Sequence, residues 1–388
     1  MARTAAARAL SRTDVSLGRR FDVRLASAAD DEEVRRLLRE HPLPGDIALA
    51  FEREPDSAIA AAIEGDVHQT MVARRSDGGE IAASASRAER HVFLNGQPAR
   101  LGYLGQFRAD MRGHRVAALL DEGFAFCRTL HEQGHVAAYL TAIVEDNHAA
   151  RRLLCGLRSP TAPRFVRAGG LVTLAIPRAR RRSASPAPGI EIRRGSVELL
   201  QDIVACLERN GRRYQFTPRW TAEDLLSARR TPGLEPRDFI VAIADGRVTG
   251  CAAIWDQRGF KQVIVRGYSQ RLARWRGVVN LAGPWVGVPA LPAAGQPLDF
   301  VYLSHVAVDD DRADITAALV SEARRQLPAG VSYMVTAFAE GSTMLTAAAG
   351  AVTHRTYRSV LYLASWPDGH HVVDSIDGRL PHPEVAIL

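Results

Sequence analysis

Residues 177–189, PRARRRSASPAPG, split this chain into two halves that repeat one order of elements, and no other feature limits the fold as strongly. A run of arginines with Ser, Ala and Pro cannot bury a face and favours extended backbone, so it reads as a linker. On either side a short strand pattern leads into an amphipathic helix, over 21–25 and 30–40 in the first half and 190–194 and 197–209 in the second. Hairpins follow at the same stage: 67–74 and 81–90 flank Asp77-Gly78-Gly79, while 239–244 and 248–256 flank Asp245-Gly246. Each half then has a further strand, a helix (116–130 and 315–326) and another strand (136–144 and 331–338). A helix between two such strands makes them parallel, with a right-handed crossover. The expectation is an α/β protein of two tandem units, 19–176 and 190–366, each a mixed, largely antiparallel sheet flanked by helices. Residues 1–18 read as a flexible N-terminal tail and 367–388 as a C-terminal tail.

Composition narrows the class. With 388 residues and 46% hydrophobic content the chain can fill two cores. Its apolar runs, such as 171–176, fall far short of the roughly 20 residues that span a bilayer, and the first twenty residues lack the apolar stretch of an export signal. A soluble, cytoplasmic protein without a membrane partner is expected. The four cysteines lie far apart with no CxxC pair, as reduced thiols do. The net charge is +7, yet Lys261 is the only lysine and the arginines are dispersed, so nucleic acid is not expected as a partner, while an anionic ligand is attracted. The second half carries an insertion, 261–297, whose Tyr268, Trp275 and Trp285 read as filling a satellite core, with a binding surface as the alternative.

Chemistry concentrates in residues 101–120, LGYLGQFRADMRGHRVAALL, an apolar strand that passes through one polar bend into a helical pattern. Such a bend gathers backbone N–H groups and the positive end of a helix dipole at one point, which suits pyrophosphate. Arg112 and Arg115 add two charges that match phosphate oxygens. Residues 136–147 form the next strand-like run, ending in Glu145-Asp146-Asn147-His148.

Arg112-Gly113-His114-Arg115-Val116-Ala117 resembles the turn Q/R-x-x-G-x-G/A of the GNAT family, the acetyl-CoA-dependent N-acetyltransferases. The first and last positions match, whereas Arg115 stands where the family lets bare backbone approach the pyrophosphate. Asn147, Ala150 and Leu153 resemble the family's second element, an Asn after the fifth strand with Ala and Leu on the following helix. Leu154 occupies the place of the tyrosine that often protonates the leaving thiolate. The resemblance covers about residues 20–176. It implies acetyl-CoA, or another acyl-CoA, held by Phe107, Arg108, Arg112, Gly113, His114, Arg115, Val116, Ala117 and Asn147.

The implied reaction is attack of a neutral amine on the thioester carbonyl, with the oxyanion held by a strand N–H and the CoA thiolate leaving. Glu145, acting through a water, and His148 are the candidates for taking the amine's proton. Tyr103 and Gln106 are candidates for lining the pocket of a small-molecule or peptide amine acceptor. In the second half Asp309-Asp310-Asp311 stands at the turn, where three carboxylates repel phosphate, so this half reads as a degenerate copy that completes the acceptor groove. Two alternatives are a related transferase using aminoacyl-tRNA or a long-chain acyl thioester, and a non-catalytic binding protein. A literal HExxH, His131 to His135, points instead to zinc, but Gly134 reads as a helix stop that makes the two imidazoles diverge, so no metal is expected.

Overall fold

The computed structural model describes residues 21–76, 79–110, 116–156, 159–178, 188–286 and 291–388. The first repeat contains β1 (Phe21–Leu25), α1 (Asp31–Glu40), β2 (Ile47–Glu52), α2 (Ser57–Glu64), β3 (Val67–Arg75), β4 (Ile81–Leu94), β5 (Gln97–Ala109), α3 (Val116–Glu132), β6 (Tyr139–Val144), α4 (His148–Gly156) and β7 (Arg164–Pro177). The second contains β8 (Glu191–Arg194), α5 (Leu200–Gly211), α6 (Ala222–Leu226), β9 (Phe239–Ala244), β10 (Arg247–Trp255), β11 (Gln262–Tyr268), α7 (Gln270–Val286), β12 (Phe300–Val308), α8 (Ala313–Arg325), β13 (Tyr333–Ala339), α9 (Thr343–Ala351), β14 (Arg355–Ser365) and α10 (His370–Asp374).

Local chemistry sets these elements. Helix α1 opens on Asp31, Glu32 and Glu33 and carries Arg39 in its last turn, which complements its dipole, and it turns Val34, Leu37 and Leu38 inward. Helix α2 is capped by Asp56, whose carboxylate accepts from the Ala58 N–H. Helix α3 ends at Glu132, and the Gly134 N–H returns to the His131 carbonyl at 2.9 Å, so His135 lies outside the helix. Both ring nitrogens of His131 are engaged, Nδ1 with the Tyr139 hydroxyl at 3.1 Å and Nε2 with Asp368 at 2.8 Å.

One twelve-stranded sheet runs in the order β1-β3-β4-β5-β6-β14-β7-β13-β12-β10-β9-β8. The order has a pseudo-twofold axis between β14 and β7, about which each of the six strands on one side meets its counterpart on the other. Strands β5 and β6 are parallel, as are β12 and β13, as the crossover argument requires, and every other pairing in the sheet is antiparallel. The repeats also exchange strands. β14 lies beside β6 of the first repeat, β7 lies beside β13 of the second, and the two pair with each other from Arg355↔Ala175 to Ser365↔Arg164. Leu361 and Leu363 of β14 therefore pack with Leu101, Tyr103 and Leu140 of the first repeat. The architecture is mixed and largely antiparallel, and the exchange fuses two sheets into one.

The insertion differs from its sequence reading. Its first part, β11, pairs with β2 as a separate two-stranded sheet that ties the repeats together, from Gln262↔Glu52 to Tyr268↔Ile47. Trp275 on α7 is 58% exposed, with Val278 and Leu281 also exposed, so it does not fill a satellite core. Helix α7 follows a two-stranded ribbon, and this face of it points outward. The side chain of Trp285 lies outside the described residues. Residues 367–388 fold back onto the sheet and bury Val373, Ala386 and Ile387.

Candidate functional site

A β-bulge opens the site. Between β4 and β5 the register shifts so that Ser86 faces Gly105 and Ser84 faces Arg108, leaving Gln106 and Phe107 opposite Ala85 alone. Gln106 takes the left-handed conformation, at φ 55°, that absorbs the extra residue. β5 bends away from β6, and the two remain paired only at Gly102↔Tyr139 and Tyr103↔Leu140. At that last contact a Cβ on Gly102 would stand 2.1 Å from the Tyr139 ring, so only glycine permits the approach.

Beyond the pairing the strands leave a cleft of about 290 Å³. Gln106, Phe107 and Arg108 form one wall, and Thr141, Ile143 and Val144 of β6 the other, with Asn147, Ala150 and Leu154 of α4 and Phe165 of β7 alongside. The cleft continues beneath α3, where Leu120, Gly123, Phe124 and Cys127 face Met71, Ala73, Ala83 and Ala85. The helix leaves room there, because a Cβ on Gly123 would meet nothing within 4 Å. Burial pushes the Cys127 thiol up to about 12, so it stays protonated and apolar.

The opposite face is polar. Ser84, Ser86 and Arg108 line it beside Leu43 and Val72. The Ser86 hydroxyl donates to Glu64 at 3.4 Å, and Glu64 is fully buried against Arg53 and His68. Burial alone would raise the Glu64 carboxyl, but the Arg53 charge and the His68 hydrogen bond outweigh it and hold the group well below the usual carboxylate range.

The sequence matches no family model and no curated protein. Solved structures do share the fold. A GCN5-related N-acetyltransferase from Sphaerobacter thermophilus aligns over 89% of this chain and 96% of its own, at a TM-score of 0.50 and 14% identity. N-myristoyltransferase of Saccharomyces cerevisiae with bound myristoyl-CoA aligns over 91% and 85%, at 0.56 and 12%. The glucosamine N-acetyltransferase region of a fungal β-N-acetylglucosaminidase aligns over 89% and 38%, at 0.55 and 15%. The fold is a tandem GNAT fold.

The second repeat builds the same bulge. His305 has φ 53°, the β10–β12 register shifts between Cys251 and Ala253, and β12 and β13 pair only over Phe300–Tyr302. Here the chain's own last residues enter. The Glu384 carboxylate accepts from the His305 N–H at 2.6 Å, and the His382 ring nitrogen Nε2 donates to the Val306 carbonyl at 3.2 Å. His382 also stacks on Phe338, and a void of only about 20 Å³ remains. Asp309 is clamped by Arg209 through two 2.9 Å bonds and by Asn210 at 2.7 Å, while Asp311 is held by Arg213 at 2.9 Å and by the Tyr214 hydroxyl.

Of the residues expected at the first site, Gln106, Phe107, Arg108 and Asn147 line the cleft. Asn147 also caps α4, its Oδ1 accepting from the Ala150 N–H at 3.0 Å. Val116 and Ala117 open α3 outside the cleft lining. Arg112, Gly113, His114 and Arg115 lie outside the described residues. Tyr103 is buried, with its ring beneath Gly105 and the Arg90 guanidinium 5.1 Å from its centre. Glu145 and His148 stand at the end of β6 and do not line the cleft, and no carboxylate, imidazole or phenol is among its described lining residues. Ser84, Ser86, Gly123 and Cys127 were not singled out from sequence. A glycine within the 116–130 helical pattern and the small residues at 82–86 are the signals that mark them.

Proposed function

We propose that the protein is an acyl-CoA-dependent N-acyltransferase whose first repeat carries the reaction, and that its donor bears an acyl chain longer than acetyl. The observation that supports the chain length is the apolar chamber beneath α3. An acetyl group would leave the space beside Gly123, Phe124 and Cys127 empty, whereas each further methylene buried there contributes about 0.8 kcal/mol. The fold neighbour with bound myristoyl-CoA is in keeping with this reading.

A bound acyl-CoA supplies an activated thioester. The backbone of the bulge at Gln106 and Phe107 would hold the carbonyl, and the walls of β6 and α4 would hold the thiol-bearing arm. Ser84 and Ser86 offer hydroxyls to an amine arriving from the opposite face. With no ionisable base among the described lining residues, the amine loses its proton to water, so the rate follows the fraction of free amine in solution. The second repeat, with its bulge taken by Glu384, serves as scaffold and lends β11 and β14 to the first.

Calorimetry and free-thiol release with acetyl-, octanoyl- and myristoyl-CoA test the donor reading. Tighter binding and faster turnover of the longer chains are expected, and equal affinity for acetyl-CoA would refute the chain-length claim. The lack of a carboxylate, imidazole or phenol among the described lining residues favours, second, acyl-CoA binding without transfer. Binding with no thiol release across an amine panel would establish that reading.

A further inference from the structure

Arg108 differs from most arginines of the first repeat, because it lines the cleft and has no carboxylate partner among the described residues. Arg24, Arg35, Arg39, Arg53, Arg74 and Arg87 each hold a carboxylate. Arg108 lines the cleft, half-buried, and among the described residues no carboxylate stands within ion-pair distance of it. One of its terminal nitrogens donates to the adjacent Phe107 carbonyl at 2.8 Å, and its buried Nε has no partner. Burial, with the nearby Arg53 charge, lowers the guanidinium to about 10, so it is still a cation at neutral pH. A half-buried cation without a counter-ion is destabilising, and it becomes favourable when a ligand brings an anion.

The location says which ligand. Arg108 stands directly across from Ser84, and cross-strand partners share a face, so its side chain lies on the face of Ser84 and Ser86, away from α3. It is two residues from the bulge, about 7 Å along the strand. An amine at the bulge and an anion at Arg108 therefore belong to one small molecule. Resting on the acyl-CoA reading above, we propose that the acceptor is an amino acid whose free carboxylate pairs with Arg108 while its amine is acylated. The amine nitrogen forms a bond to the acyl carbonyl carbon and the C–S bond breaks. The amine's proton goes to water, the CoA sulfur leaves as thiolate, and the products are an N-acyl amino acid and free CoA.

The test uses the full chain, octanoyl-CoA as donor, and acceptors that differ only at the carboxylate: the common amino acids and their amides. The wild type is expected to prefer the free acid by about 10- to 100-fold in kcat/KM, the usual worth of one charged hydrogen bond. Arg108→Gln should erase that preference through the acceptor KM and leave the donor KM unchanged, and Arg108→Lys should restore part of it. Without ligand, Arg108→Gln should melt at or above the wild-type temperature, which separates lost recognition from lost folding. Equal use of the amides overturns the proposal. So does a raised donor KM in Arg108→Gln, which would assign the residue to CoA phosphate. Acyl-CoA binding with no turnover of any free amino acid overturns this proposal alone, and no acyl-CoA binding overturns the donor reading together with it.

Discussion

The two clefts of this molecule are built by the same device and end in opposite states. Each begins with a bulge on the strand before the crossover helix, at Gln106 and at His305, and each parts a parallel pair after three residues or fewer. The first stays open at about 290 Å³ and is apolar beneath α3. The second is filled by residues 381–388, which set a carboxylate on the bulge N–H and a histidine against Phe338. The bulge is therefore only an opening, and what enters it is decided elsewhere in the chain.

The strongest way to break this contrast is to loosen the filling. Ile387 is fully exposed to none of the solvent, at 0% accessibility, so Ile387→Ala should destabilise the protein by about 2–5 kcal/mol, measured by denaturant unfolding. A loss near zero would mean that the segment lies loosely on the second repeat. The converse change fills the open cleft: Gly123→Leu should weaken octanoyl- and myristoyl-CoA binding by about 10- to 100-fold while sparing acetyl-CoA, since overpacking costs about 1–3 kcal/mol. Equal losses for all donors would place the acyl chain elsewhere.

Arg209→Met sharpens the comparison at the turn. It leaves Asp309, which Arg209 and Asn210 hold below its usual range against the effect of burial, with only Asn210 and the more exposed Arg247, and should cost about 1–3 kcal/mol in stability. A smaller effect is expected from pH. Burial raises Glu384 to about 7, although the Ala386 and His305 N–H groups, Lys261 and Arg90 act to lower it. The folded state thus holds this proton more tightly than the unfolded chain. Its contribution is complete below the ordinary value near 4.5 and is lost as pH rises through about 7. The buried His305 and His382, held below the ordinary imidazole value, act the opposite way over the same range, so the expected outcome is a difference: between about pH 4.5 and 7 the wild type should lose melting temperature relative to Glu384→Gln. Smallest of all, Gly123→Ala should stabilise the helix by about 0.5–1 kcal/mol and leave the long donors bound.

Several of these features were legible in the sequence. The hairpins of β3 with β4 and of β9 with β10, the parallel pairs, and the helix stop at Gly134 each depend on residues close together in the chain, where turn chemistry and periodicity act. Gln106 and Asn147 line the cleft, and the spacing that singles them out on a strand and at a helix N-terminus is local too. Arg108 shows where such reading stops. Simple alternation from Tyr103 puts residue 108 on the face opposite Tyr103, beneath α3, but the bulge adds one residue and returns it to the face of Ser84.

The sequence by itself determined the repeat, the mixed sheet with its crossover helices, and the acidic turn at Asp309 to Asp311, because each is written in neighbouring residues. Tertiary structure alone decided the exchange of β7 and β14, the pairing of β2 with β11, and the entry of Glu384 into the second cleft. Those contacts join residues 79 or more positions apart, and no local pattern of hydrophobicity encodes them.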